Sequence, residues 1–174
     1  KPAALGTWIA FLALLAPTEH LHERLLGLEK LGNSQLSQME VFCRKLEEIA
    51  PEVFSHRDYH CRNLLVHKDE LYVIDFQDAR LGSPQYDIAS LVYDAYVPIS
   101  DAERTHLLTY YKQEVGRFTL AEGIDWGGFE TGLSLVGLQR TIKAAGSFAS
   151  FYTRNQKMTH LKYLVPALKY SIQL

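Results

Sequence analysis

Between two long stretches of helical signal lies one short β-prone segment, and it limits what the chain can become. Val53-Phe54, Leu64-Leu65-Val66 and Leu71-Tyr72-Val73-Ile74 are short apolar runs separated by polar loops. Pieces this small cannot build a large sheet. With helices before and after them they predict a mainly α domain carrying a small β-hairpin patch, an α+β arrangement. At 174 residues and 47% hydrophobic content, the chain suits one domain over 1–174 with a sizeable core. It reads as helical over 1–52, as loops on short strands over 53–83, and as helical again over 84–174.

The helical punctuation is explicit. Residues 4–16 form an apolar helix ended by Pro17, and Thr18 is positioned to cap a second helix to about Leu31, closed by Gly32 and Asn33. Ser37 and Glu40 have capping-box spacing, with Met39, Phe42, Cys43, Leu46, Ile49 and Ala50 on one face. Beyond Pro84, one helix is predicted over 86–95 and another begins at the Ser100/Glu103 box and runs to about Val115. A long helix capped by Asp125 reaches about Phe151. It carries Gly132, Gly137 and Gly146, where a neighbour can approach closely. A last helix covers 161–172, and "HKDE" (67–70) is a hairpin turn between the second and third β pieces.

Composition excludes several classes of function. Formal charge is −2 with no run of like charges, so nothing marks a nucleic-acid or anionic-membrane surface. The apolar run 3–17 is too short to span a bilayer, which takes ~20 residues. Cys43 and Cys61 stand far apart without a C-x-x-C pair, which points to a reducing, cytoplasmic setting.

The chemistry concentrates in residues 53–78. The first loop, "SHRDYHCRN", offers His56, Asp58, His60 and Asn63; the second, "VIDFQD", offers Asp75 directly after an apolar strand. Phosphoryl transfer needs this combination: a carboxylate to take the proton of an attacking hydroxyl, and hard oxygen ligands for Mg²⁺. Asp58 suits the first role, Asn63 and Asp75 the second. Asparagine ligates through a carbonyl and adds no negative charge beside phosphates. Asp78 reads as a turn residue, and Cys61 as an inert small side chain. A zinc site from His20, His22, His56 and His60 is the competing reading. His56 and His60 have i, i+4 spacing, but the flanking β signals argue against a helix there, and no H-E-x-x-H occurs.

"HRDYHCRN" with "IDFQD", whose Asp75 stands twelve residues after Asn63, resembles the kinase pattern H-x-D-x-x-x-x-N … D-F-G. His60, two places after the aspartate, together with "ID" before an aromatic, makes it similar to the aminoglycoside phosphotransferase family of small-molecule kinases. "PQYDIASLVYD" matches that family too, and the resemblance implies that Asp87 braces the catalytic loop. "IDFQDARLGSPQYDIASL" and "GLQRTIKAAGSFA" resemble the branch of bacterial N-acetylmuramate/N-acetylglucosamine kinases. The resemblance therefore implies an ATP- and Mg²⁺-dependent kinase acting on a small molecule, an amino sugar. Asp58 would be catalytic and Asn63 and Asp75 would hold metal. His60 and Arg140 would be possible phosphate or substrate contacts, and His56 would support the loop with Asp87.

The other half of a kinase is not found. No G-x-G-x-x-G occurs, and no V-A-I-K-like strand precedes Asp58. In this family the nucleotide-clamping lobe comes first, so the expectation is a C-terminal lobe of a protein-kinase-like fold, starting at Lys1 rather than methionine, whose N-terminal lobe is absent. On that expectation the 174 residues alone are inactive. Two alternatives are an aminoglycoside antibiotic kinase and a non-catalytic, kinase-like binding module. Aminoglycosides are polycations, yet from Gln113 onward Lys and Arg outnumber the acids, which favours a neutral or anionic substrate.

Overall fold

Pro17 does not end the first helix. In the computed structural model, which describes residues 5–49, 52–118 and 122–174, with side chains in the first helix from Leu12 onward, α1 runs Leu5–Glu19 straight through the proline. It then widens into a π-type stretch at His20–Leu25, where the N–H of Leu26 donates to the carbonyl of Leu21, five residues back. Proline lacks the N–H that would bond the preceding turn, and a widened turn is one way a helix absorbs that loss. Thr18 is no N-cap; its hydroxyl donates to the Leu14 carbonyl inside the helix at 2.8 Å. The second helix expected to about Leu31 is thus the π-type end of the first. Gly32 opens the next helix instead, its N–H donating to Gln35 Oε1, and α2 runs Asn33–Glu47 without using Ser37 as a cap. Ala4 and Ala50 lie outside the described residues.

The chain divides into two compact units, residues 1–48 with 138–174, and residues 49–137. In the first, Leu14 of α1 and Cys43 of α2 are fully buried, with Leu36, Met39, Phe42 and Ile142 packed around them. The long helix α5 (Phe129–Asn155) begins four residues after Asp125 and continues past Phe151. Gly146, on its first-unit part, faces the backbone of Pro17, and a Cβ there would overlap the Pro17 carbonyl. A 3₁₀ stretch, Met158–Tyr163, leads into α6 (Leu164–Gln173), which holds Pro166 in its first turn, where a missing N–H costs little.

The second unit contains both sheets, each antiparallel and two-stranded. β2 (Leu64–His67) and β3 (Glu70–Val73) form the hairpin, joined by Lys68 and Asp69 at φ 52° and 61°. That pair of left-handed residues is the tight-turn geometry matching the twist of paired strands. β1 (Val53–Ser55) pairs with β4 (Arg80–Gly82), in the register Val53↔Gly82, Phe54↔Leu81, Ser55↔Arg80. The arginine and glycine of β4 give it no β signature, so its pairing is set by the partner strand. α3 (Gln85–Val92) stops short of Ala95, and α4 (Asp101–Val115) opens on the expected box: Glu103 N–H to Ser100 Oγ, Ser100 N–H to Glu103 Oε2. Ile88, Ala89, Val92, Phe129 and Leu133 are buried, and Trp126 and Tyr111 lie against the Phe129 ring. Among the described residues no helix is long and apolar enough to cross a membrane.

Candidate active site

Two loops of the second unit carry the residues of interest, and one backbone residue links them. His56 Nε2 lies 2.9 Å from the carbonyl oxygen of Ile74, and the N–H of Ile74 donates to the carbonyl of Asn63 at 3.0 Å. Ile74 immediately precedes Asp75. The hairpin therefore returns Asp75 beside the loop that holds Asp58 and Asn63, because β2 starts at the residue after Asn63 and β3 ends one residue before Ile74.

The first loop is braced from α3. Asp87, in the first turn of that helix, accepts the N–H of His56 at 2.6 Å and of Arg57 at 2.9 Å. Two charge-assisted bonds to consecutive amides fix the chain just ahead of Asp58. Arg57 itself has φ 76°, and Asp75 in the second loop has φ 68°. Left-handed backbone in non-glycine residues costs of order 1–2 kcal/mol and persists where surrounding bonds determine it. Here the bonds are those of Asp87 and Ile74, and the strained residues flank or include the carboxylates of interest.

Within the loop, the amides of His60 and Asn63 close a tight turn: His60 N–H donates to the Asp58 carbonyl at 3.0 Å and Asn63 N–H to the His60 carbonyl at 2.9 Å. The Asn63 side chain is buried, and its Nδ2 donates to the Asp58 carbonyl at 2.9 Å. Committing the amide nitrogen inward orients the amide oxygen away from that bond. His60 packs edge-on against Tyr96 with ring centroids 5.3 Å apart, and the Arg62 guanidinium carbon sits 3.8 Å over the same ring. Arg140 belongs to the first unit, on α5.

A metal at this site would take hard oxygens. The donor set fits Mg²⁺: the exposed Asp75 carboxylate and the Asn63 amide oxygen come from adjacent backbone, and Mg²⁺ typically takes one or two protein oxygens, with phosphates and water completing the shell. Among the described residues no group of three or more His, Cys, Asp or Glu could hold a metal ion. His20, from the rejected zinc set, is engaged in the first unit with Thr153 and Arg154.

A cavity of about 350 Å³ adjoins the brace, lined by Phe54, His56, Tyr59, Phe76, Asp87 and Tyr111 among others. Burial, then the Asp87 charge, pushes the Tyr111 hydroxyl up to about 12, so it stays protonated and donates to the Pro84 carbonyl at 2.5 Å. The Cys61 thiol is likewise pushed up to about 12, by burial and by its hydrogen bond to Asp94, which keeps it in the unreactive thiol form.

Sequence reasoning missed Asp94. Its buried carboxylate accepts the N–H of Cys61 at 2.9 Å and of Tyr96 at 2.8 Å. The available signal was its spacing: seven residues, two helical turns, after Asp87.

The second unit thus brings together a carboxylate that accepts two loop amides, an Asp-to-Asn loop and a following Ile-Asp loop, and the sequence comparisons give the family. The profile of the phosphotransferase enzyme family matches residues 3–123, and the chain belongs to that family. Its relatives include three proteins named N-acetylmuramate/N-acetylglucosamine kinase. That of Pseudomonas aeruginosa is 33% identical over 141 residues, 79% of this chain and 41% of the relative. That of Neisseria meningitidis serogroup B is 34% identical over 107 residues, 62% and 32% respectively. That of Pseudomonas putida is 35% identical over 111 residues, 64% and 33%. The matched stretch thus spans about a third to two fifths of these relatives.

Proposed function

We propose that this chain supplies the catalytic and metal-binding loops of a kinase that transfers the γ-phosphoryl group of ATP to a hydroxyl of an amino sugar. The supporting observation is the Ile74 link, which brings the Asp75 backbone against the Asp58–Asn63 loop through bonds to both His56 and Asn63. Family membership and kinase-named relatives point the same way.

In this reading Asp58 orients the sugar hydroxyl and accepts its proton as the oxygen attacks the γ-phosphorus, while the bond to the bridging oxygen breaks and ADP leaves. Asp87 holds the two amides ahead of Asp58, so the carboxylate does not have to be ordered in each turnover. Asn63 and Asp75 are the residues that would hold Mg²⁺, which when bound neutralises charge on the transferring phosphoryl group. The kinase-like lobe assignment and the preference for N-acetylmuramate or N-acetylglucosamine belong to this proposal, as does a role for His60 or Arg140 in substrate contact. The excess of Lys and Arg after Gln113 favours a neutral or anionic sugar over a polycationic aminoglycoside.

The test is a panel of amino sugars and aminoglycosides incubated with the full-length protein, ATP and Mg²⁺, with products followed by ³¹P NMR. Phosphorylation of an N-acetylated amino sugar is expected. Phosphorylation of aminoglycosides alone would overturn the substrate class, and no ATP consumption with any hydroxylated acceptor would overturn the kinase reading. Residues 1–174 alone are expected to show no appreciable turnover, since no phosphate-clamping motif occurs in them.

A further inference from the structure

Asp94 is placed against local preference. It lies just past the C-terminal end of α3, where the helix dipole disfavours a negative charge, and its side chain is buried at 6% exposure. A buried carboxylate persists only where hydrogen bonds replace water. Besides the Cys61 thiol, Asp94 accepts two backbone amides, and these differ in kind. Oδ1 accepts from Tyr96 two residues on, a local turn that aspartate and asparagine make equally well. Oδ2 accepts from Cys61, 33 residues away, and this bond requires a second acceptor oxygen.

Cys61 begins the 3₁₀ turn Cys61–Asn63, and that turn carries the Asn63 amide. The same carboxylate fixes the Tyr96 backbone, and the Tyr96 ring contacts His60 and Arg62 on either side of Cys61. Asp87 holds the amides ahead of Asp58, while Asp94 holds the amide ahead of Asn63. We infer that Asp94 is a second positioning carboxylate of the loop, one that sets the Cys61–Asn63 turn and so aims the Asn63 oxygen at the metal–nucleotide. The inference rests on the reading of Asn63 as a metal ligand.

Asp94→Asn changes the long-range bonds to Cys61 and spares the local one: Oδ1 keeps the turn, while an NH₂ group faces the Cys61 N–H. In the full-length protein this variant is expected to raise the Mg²⁺ concentration for half-maximal rate about tenfold, with the sugar KM within about twofold of wild type. The rise in melting temperature given by Mg²⁺ with a non-hydrolysable ATP analogue should shrink alongside. On an Asn63→Ala background, Asp94→Asn should cause no further loss of that thermal protection. An unmoved Mg²⁺ requirement, equal changes in sugar KM and Mg²⁺ requirement, or additive losses with Asn63→Ala would each overturn the inference. Should Asp94→Asn fail to fold, Asp94→Glu decides. It keeps both acceptor oxygens one methylene displaced: a raised Mg²⁺ requirement supports the assignment and a wild-type one overturns it. An inactive wild-type protein overturns this inference together with the kinase reading; an active one with insensitive Asp94 variants overturns this inference alone.

Discussion

His56 Nε2 lies 2.9 Å from the carbonyl oxygen of Ile74, joining two loops that are 18 residues apart in sequence. A carbonyl only accepts, so Nε2 carries the proton. His56→Phe removes this link while keeping a ring of similar size. Turnover should fall about tenfold or more, as a positioning loss, with the protein still folded by circular dichroism.

The two carboxylates should separate kinetically. Asp58→Asn should lower kcat by roughly 10²–10⁴-fold while leaving Mg²⁺–nucleotide binding near wild type by calorimetry. Asp75→Asn should lower turnover and weaken that binding as well, because it removes a charged oxygen from the metal's side. Near-normal turnover by Asp58→Asn would count heavily against its assignment as the base.

Asp75 also carries a backbone prediction. At φ 68° it occupies a conformation that asparagine tolerates and alanine does not. Asp75→Asn should therefore keep wild-type stability in urea unfolding, whereas Asp75→Ala should lose about 1 kcal/mol.

Gly146→Ala should destabilise the protein by about 1–3 kcal/mol, since the added Cβ would overlap the Pro17 backbone and neither helix can yield cheaply. A comparison of urea midpoints with Ser147→Ala, an exposed neighbour on the same helix, separates the steric effect from propensity. Equal midpoints for the two variants would refute the close approach.

His20 makes stability depend on pH. Arg154 donates to Nε2 at 3.2 Å, so Nε2 is unprotonated and Nδ1–H faces Thr153 Oγ1 at 3.4 Å. Burial, then Arg24 and Arg154, hold the ring below its usual 6.5 despite Glu19. The unfolded chain then binds the proton more readily than the folded one. Stability falls as pH drops through 6.5 toward the lower folded value. Melting temperatures between pH 7.5 and 5.5 should decline more steeply for wild type than for His20→Asn.

Much of the architecture was legible before any coordinates. The hairpin turn at Lys68-Asp69, the Ser100/Glu103 box and the apolar face of Met39, Phe42 and Cys43 all follow from contacts between residues within a few positions of each other. The misreadings share one cause. Pro17 reads as a helix end by local rules, yet the helix continues and widens at His20–Leu25, with Gly146 against the proline backbone. α3 stops at Val92, before the expected Ala95, and Asp94 just beyond it bonds the amide of Cys61, 33 residues away.

The identities of Asp58, Asn63 and Asp75, their spacing, and a helical chain interrupted by one small β patch were determined by the sequence alone, because periodicity, turn chemistry and motif spacing are local properties. The tertiary structure decided how those residues are held. β4 became a strand only by pairing with β1, and Arg57 and Asp75 took left-handed backbone under bonds from Asp87 and Ile74. Asp94 gained its second partner only when Cys61 was brought to it. Such bonds join groups tens of residues apart, and no local pattern carries them; they exist once the fold has supplied both donor and acceptor.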